Sequence, residues 1–176
     1  MHGGGTIVLG GIANRMMLGL ALMGAATAAK YYTRSSHPKD RVVQVRVDDP
    51  QITAAKAKAR AGLPQFFARL DKHSFDESSF GLKFDLNYGH TERGQAEIIW
   101  ARDIVRQNGK LFGTLDDVPA TNGFSAGEQV EIPQVAIADW AIKKNDKFEG
   151  HYTTRVLVSH LPPDQAQQVL ARLAPI

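Results

Sequence analysis

A chain of 176 residues is long enough for one domain with a sizeable core and too short for two of ordinary size. At 43% hydrophobic and 22% charged it lies far from the apolar-poor, charge-rich compositions of disordered chains. The lack of cysteine excludes disulfides, thiolate nucleophiles, zinc ribbons, iron–sulfur ligation and a lipidated N-terminal cysteine, and a net charge of +3 is too small to argue for a nucleic-acid or other polyanionic partner.

Charge is unevenly spread. Residues 30–72 hold ten Lys or Arg against four Asp or Glu, and residues 73–176 hold ten against fourteen. Two readings stand: solvated faces of packed elements, or a basic face offered to an anionic surface or partner.

Arg15 precedes an unbroken run of small and apolar residues, Met16 to Ala29, which contains Ala26-Thr27-Ala28. A positive start, a short apolar stretch and a small-x-small site are the plan of an export signal, with cleavage after Ala28 or Ala29. The run falls short of the roughly 20 residues of a membrane span. A second apolar patch, Thr6 to Ala13, is separated from it by Asn14 and Arg15, both costly in lipid. Residues 1–29 therefore read as a signal peptide or membrane-inserting segment, 30–41 as a polar linker and 42–176 as one α+β domain. The location expected is the periplasm or the outside, with a membrane-anchored or cytoplasmic protein as alternatives. Membrane contact is expected only through this segment.

Val42 to Val47 alternates and predicts a strand. Asp48-Asp49-Pro50 opens a helix, with an acidic cap before proline at the first turn. Ile52, Ala55, Ala59, Leu63, Phe66, Phe67 and Leu70 then recur at steps of three and four and make one apolar helical face. Gly62 and Pro64 interrupt it, so the long helical segment either kinks or divides in two. Lys56, Lys58, Arg60 and Arg69 lie opposite.

From Phe80 the period becomes two: Phe80, Leu82, Phe84 and Leu86 alternate with Gly81, Lys83 and Asp85. Ala96 to Val105 predicts a second strand, and Asn108-Gly109 a tight hairpin turn into Lys110 to Leu115. Further strands are expected at Gln129 to Ile132, Ala138 to Lys143 and Phe148 to Val158, the last two joined at Asn145-Asp146. Pro162-Pro163-Asp164 opens a short C-terminal helix carrying Ala166, Val169, Leu170 and Leu173. The expected fold is α+β: a curved antiparallel sheet, open or partly closed as a small barrel, with the long N-terminal helical segment packed on its apolar face.

The order of these motifs resembles a known family. A-x-A-K-A-R-A-x-L-P-x-F, then F-x-L-K-F, I-I-W, G-T-L-D-D-V-P, G-x-x-V, A-D-W and G-x-Y-T-T-R-V-L are similar to the YegJ-like bacterial family, domain of unknown function 2314. The likeness covers about residues 47–158. Two positions depart from the family pattern, Asp117 where L-D-N-x-P leads one to expect Asn, and His151 where G-G-Y-T leads one to expect Gly. The resemblance implies a fold and no biochemical activity.

Among chemical candidates, His2, His37, His73, His90, His151 and His160 form no pair at i, i+2 or i, i+4, so no metal is implied. No serine sits in a G-x-S-x-G elbow, and Gly3-Gly4-Gly5 lacks the Lys-Ser/Thr of a phosphate loop, so no cofactor is implied either. Glu92, Glu97, Asp103 and Asp139 are carboxylates with no telling spacing. The remaining constellation is Trp100, Asp139, Trp140, His151, Tyr152 and Arg155. It reads either as core packing with Asp139 paired to an Arg, or as a groove in which aromatic surface and a charged pair bind a small ligand or protein partner. On a continuous strand Tyr152 and Arg155 would point to opposite faces. The functional expectation is a non-enzymatic, exported binding or interaction domain; the alternatives are an envelope-acting hydrolase using carboxylates and histidine, and a cytosolic protein.

Overall fold

In the computed structural model the residues described are 6–9, 20–22, 42–44, 49–72, 74–94 and 96–176. Strands β1 (Thr6–Leu9), β2 (Leu20–Leu22) and β3 (Val42–Gln44) form a small antiparallel sheet in the order β2-β1-β3. The export-signal reading of Met16 to Ala29, apart from Leu20–Leu22, and the linker 30–41 lie outside the described residues. So do residues 45–47 of the predicted strand. Among the described residues no helix is long and apolar enough to cross a membrane.

The main body begins with α1 (Pro50–Ala61). Asp49 accepts hydrogen bonds from the amides of Gln51 (2.7 Å) and Ile52 (3.2 Å), and proline occupies the first turn, where its missing N–H has no intrahelical partner to lose. A second helix, α2 (Leu63–Lys72), follows at once. Of the two outcomes expected, the segment divides in two and is not one long kinked helix: Pro64 withholds the donor that would bond back to Arg60, and Gly62 separates the helices. Gly62 also answers to packing, since a Cβ there would stand 2.9 Å from Cζ2 of Trp140.

Six strands make the main sheet: β4 (Glu77–Asp85), β5 (Ile98–Gln107), β6 (Lys110–Leu115), β7 (Gln129–Glu131), β8 (Ile137–Lys144) and β9 (Lys147–Gly150). Their order is β7-β6-β5-β4-β8-β9, antiparallel throughout. The chain thus meanders from β4 to β7 and then crosses back to lay β8 beside β4. Asn108 and Gly109, with φ of 49° and 76°, make the left-handed turn between β5 and β6.

The sheet is open, so the partly closed barrel is not formed. β7 has only three residues at one edge. The other edge is taken by the C-terminal segment, where Phe148 donates to the carbonyl of Arg172 and accepts from the amide of Ala174, both at 2.8 Å. The strand predicted over Phe148 to Val158 is also corrected: β9 ends at Gly150 and the chain enters helix α3 (Tyr152–Val158). Two successive left-handed residues, Gly150 (φ 79°) and His151 (φ 53°), turn it there. Helix α4 (Pro163–Leu170) completes the fold, which is α+β with, among the described residues, four α-helices and an open six-stranded antiparallel sheet.

Alternation along the strands separates two cores. Phe80, Leu82, Phe84, Ile99, Ala101, Trp140 and Ile142 pack with Ala59, Leu63, Phe66, Phe67 and Leu70 from α1 and α2. Trp100, Ala141 and Phe148 pack with Val158, Val169 and Leu173 from α3 and beyond. Each face of the sheet is therefore covered, and a polar side chain in its middle is enclosed.

Candidate functional site

The register sets Lys83 opposite Trp100 on β5 and opposite Asp139 on β8. Trp100, Lys83 and Asp139 thus form one row across three adjacent strands, each with 0% of its surface exposed. Burying a lysine and an aspartate without partners costs several kcal/mol for each charge, so the groups around them decide whether the row is tolerated.

Helix α3 supplies those groups. Lys83 Nζ donates to Thr153 Oγ1 (3.2 Å), and the Thr153 hydroxyl in turn donates to Asp139 Oδ2 (2.7 Å). Asp139 Oδ2 also accepts from the Thr153 amide (2.7 Å), and its Oδ1 accepts from the amides of Tyr152 (3.2 Å) and Trp140 (2.8 Å). The residue in the capping position, His151, makes no side-chain cap bond. Asp139 takes over that duty from a neighbouring strand, bonding the first two amides of α3, which an isolated helix leaves without partners.

Electrostatics follow from burial. Lys83 is pushed down to about 7 chiefly by loss of solvent, with Asp139 holding it up and Lys56 pressing it lower. Asp139 is pushed above the usual carboxylate range by the same burial, against the Thr153 hydroxyl, Lys83 and the backbone amides. His151 falls to about 3 through burial and the positive charges of Lys83 and Arg155, so it is neutral near pH 7. Its ring lies 4.8 Å from that of Trp100 and 5.4 Å from that of Phe148, and its Nδ1 is 3.2 Å from Thr154 Oγ1. Lys83 Nζ stands 5.9 Å from the Trp100 ring, whose own Nε1 has no hydrogen-bond partner among the described residues.

The sheet divides the six residues singled out in the sequence. Trp100, Asp139 and His151 lie on the α3 side. Trp140 points the other way, donating from Nε1 to the carbonyl of Ala59 (2.9 Å), with its ring 5.8 Å from Phe66 and 5.7 Å from Tyr152. Arg155 is a tie between chain segments: Nε donates to the carbonyl of Gly150 (2.9 Å) and a terminal nitrogen to that of Ala174 (2.7 Å). Tyr152 and Arg155 stand on a helix, so strand parity does not govern them. The partner of Asp139 is Lys83, which the sequence reading had placed on a polar strand face and not among the candidates.

A second polar cluster pins two connections at the β4–β5 end of the sheet. Glu97, buried, accepts from the amides of Ala120 (2.6 Å) and Thr121 (2.8 Å), while Asp85 Oδ1 accepts from the amides of Asn87 and Glu97 at 3.0 Å. Asn87 and Thr121 exchange side-chain hydrogen bonds of 2.8 and 3.1 Å. Arg93 lies 5.2 Å over the ring of Phe124. The segments 86–97 and 116–128 are thereby fastened together, and they carry the exposed Tyr88 (47%) and Val118 (75%). Among the described residues no three His, Asp or Glu stand where they could hold a metal ion.

An open six-stranded sheet covered on both faces, with a lysine–threonine–aspartate network sealed in its middle, defines an α+β domain with a pair of opposite charges enclosed. Residues 49–173 match the model of DUF2314, described as uncharacterized protein conserved in bacteria, and the chain belongs to that family. It is also 26% identical over 160 residues to a protein of Escherichia coli K12 named Uncharacterized protein YegJ, covering 90% of this chain and 97% of that one. No solved structure matches.

Proposed function

We propose that the domain is a non-enzymatic binding module of the bacterial cell envelope, and that its contact surface is the pair of fastened connections 86–97 and 116–128. The observation that carries this reading is a division of labour among polar groups. Lys83, Asp139 and His151, the groups with the most perturbed protonation in the α3 network, are at most 4% exposed and engaged with one another or with α3. A substrate has no route to them without opening the sheet's cover. The connections, by contrast, present apolar side chains on backbone held by Glu97 and by the Asn87–Thr121 pair. Preorganised loops lose little entropy on binding, and aromatic or aliphatic side chains at their tips are the usual anchors of an interface. Placement in the envelope draws its support from Arg15, the apolar run to Ala29 and the small-x-small site.

The test is photo-crosslinking in the native cell from residues placed at Tyr88 and Val118, with Val135 and Leu170, also exposed, as reference positions. The expected result is a discrete adduct from the first two positions alone, suppressed by excess purified domain and recovered in the envelope fraction. Equal labelling from all four positions, or an envelope substrate turned over by the purified protein and spared when Asp139 or His151 is replaced in a variant that still folds, would overturn the reading.

A further inference from the structure

We infer that Asp116 is a proton-operated latch at the root of the connection 116–128. The register of β5 and β6 slips between Arg102 and Val105, and at that bulge Asp103 takes φ 53°, a left-handed backbone for a residue with a Cβ. Arg102 lies just before the slip, opposite Thr114, and its Nε stands 3.1 Å from Asp116 Oδ1. The same guanidinium bonds the carboxylate of Asp103 through a terminal nitrogen. One cation, half exposed, thus serves two carboxylates. The side chain of Asp116 retains 10% of its exposure, and its Oδ2 is buried with no hydrogen-bond partner among the described residues.

A buried carboxylate oxygen with no donor is costly to keep ionised, and a proton replaces the penalty of a buried charge by the smaller one of a buried neutral group. The charged groups acting on Asp116 are Arg102 and Asp103 from β5 and Asp117 from its own connection; the two carboxylates oppose its charge and the shared arginine favours it. Burial, with Asp117 and Asp103 repelling and Arg102 offsetting, pushes Asp116 up to about 7. In the protonated state the side chain is at ease where it lies. In the ionised state it is drawn toward solvent, and the chain attached to it follows.

That chain is short and held at both ends. The Asp116 amide donates to the carbonyl of Trp100 (3.1 Å), and Gly127 donates to Leu115 (2.8 Å), while Glu97 holds the amides of Ala120 and Thr121. Displacement of Asp116 therefore falls on Asp117, Val118 and Pro119, between the anchors. The connection is tight below neutral pH and loosens as pH rises through 7. The latch is read out on the connection itself and does not depend on the binding role proposed above.

Carbon-detected titration of the Asp116 carboxyl in the full chain is the direct test, and its midpoint is expected near 7. Hydrogen exchange of the Asp116 amide, corrected for intrinsic pH dependence, is expected to accelerate several-fold between pH 6 and 8, with the Gly127 amide, beyond the Glu97 anchor, unchanged. Asp116→Asn, which fixes the neutral form, should abolish that acceleration. Asp103→Asn, which leaves Arg102 to Asp116 alone and removes one repelling charge, should move the midpoint to lower pH; it also keeps the test open if Asp116→Asn does not fold. A midpoint below about 5, close to an ordinary carboxylate, or an acceleration that survives in Asp116→Asn, would overturn the latch.

Discussion

Lys83 and Asp139 are register partners on adjacent strands, yet the hydrogen bonds that join them run through a third residue, Thr153, at the start of α3. The Thr153 hydroxyl has one proton, which it gives to Asp139, and it accepts one from Lys83. Removing the hydroxyl while keeping the shape leaves both ionisable groups short of a bond. Thr153→Val is therefore expected to cost about 1–3 kcal/mol in denaturant unfolding. Asp139→Ala, which strips three amides and the Thr153 hydroxyl of their acceptor and leaves Lys83 without its opposing charge, should cost more, about 3–5 kcal/mol. Equal losses for the two would mean that Asp139 does not cap α3.

Lys83 also gives stability a pH dependence of definite sign. Its folded value near 7 lies below the roughly 10.4 of an unfolded lysine. Between those limits the unfolded chain binds more protons, so stability rises with pH, by up to about 1.4 kcal/mol per pH unit. Below 7 both states carry the proton and the penalty for burying it is complete. Lys83→Met should remove this rise between pH 7 and 10. A wild-type slope that persists in the variant would assign the effect to another group.

His151 works in a lower window. Its folded value of about 3 lies below the unfolded value of about 6.5, so acidification through that interval protonates the unfolded chain first and stability falls. His151→Gly abolishes that contribution and relaxes a left-handed backbone worth about 1–2 kcal/mol, but removes the ring between Trp100 and Phe148. Wild type is expected to be the more stable near pH 7, with the gap narrowing steadily toward pH 4. A gap independent of pH would show that the imidazole is not sealed from solvent.

His151 also marks where the sequence was more informative than its periodicity. The resemblance led one to expect Gly at 151, and Gly is the residue for a left-handed backbone; φ there is 53°. That signal already pointed to a turn inside the segment read as one long strand. Alternation over Tyr152, Val156 and Val158 concealed it, because seven residues of a short helix buried on several sides fit period two as readily as 3.6. The apolar face from Ile52 to Leu70 was legible because it repeats over five turns, and all seven of its residues are buried. Lys83 was not legible as a site residue. Its strand alternates like a half-buried one, and only the arrival of α3, set by the β8–β9 hairpin, covers the second face. Pairing of Asp139 with a lysine across strands is a matter of register, which no local pattern encodes.

Trp140 offers the sharpest test of the packing, because two glycines meet it from different directions. At Gly62 an added Cβ would come within 2.9 Å of the indole, with no barrier from the backbone, and alanine would gain up to about 1 kcal/mol in local propensity. At Gly150 the Cβ would lie 2.2 Å from the carbonyl oxygen of Trp140 and 2.7 Å from its ring, on a backbone with φ 79°. An indole can shift by tenths of an ångström, whereas that carbonyl accepts the amide of His151 at 2.9 Å and cannot withdraw without breaking the turn into α3. Gly62→Ala is therefore expected to cost about 1–3 kcal/mol less whatever the local propensity returns. Gly150→Ala adds to a collision of that size a left-handed strain of about 1–2 kcal/mol, and should also loosen α3, seen as faster hydrogen exchange at Thr153. Denaturant unfolding of the two variants side by side decides the matter: a Gly150→Ala protein as stable as Gly62→Ala would show that β9 does not hand the chain to α3 through the tight turn described.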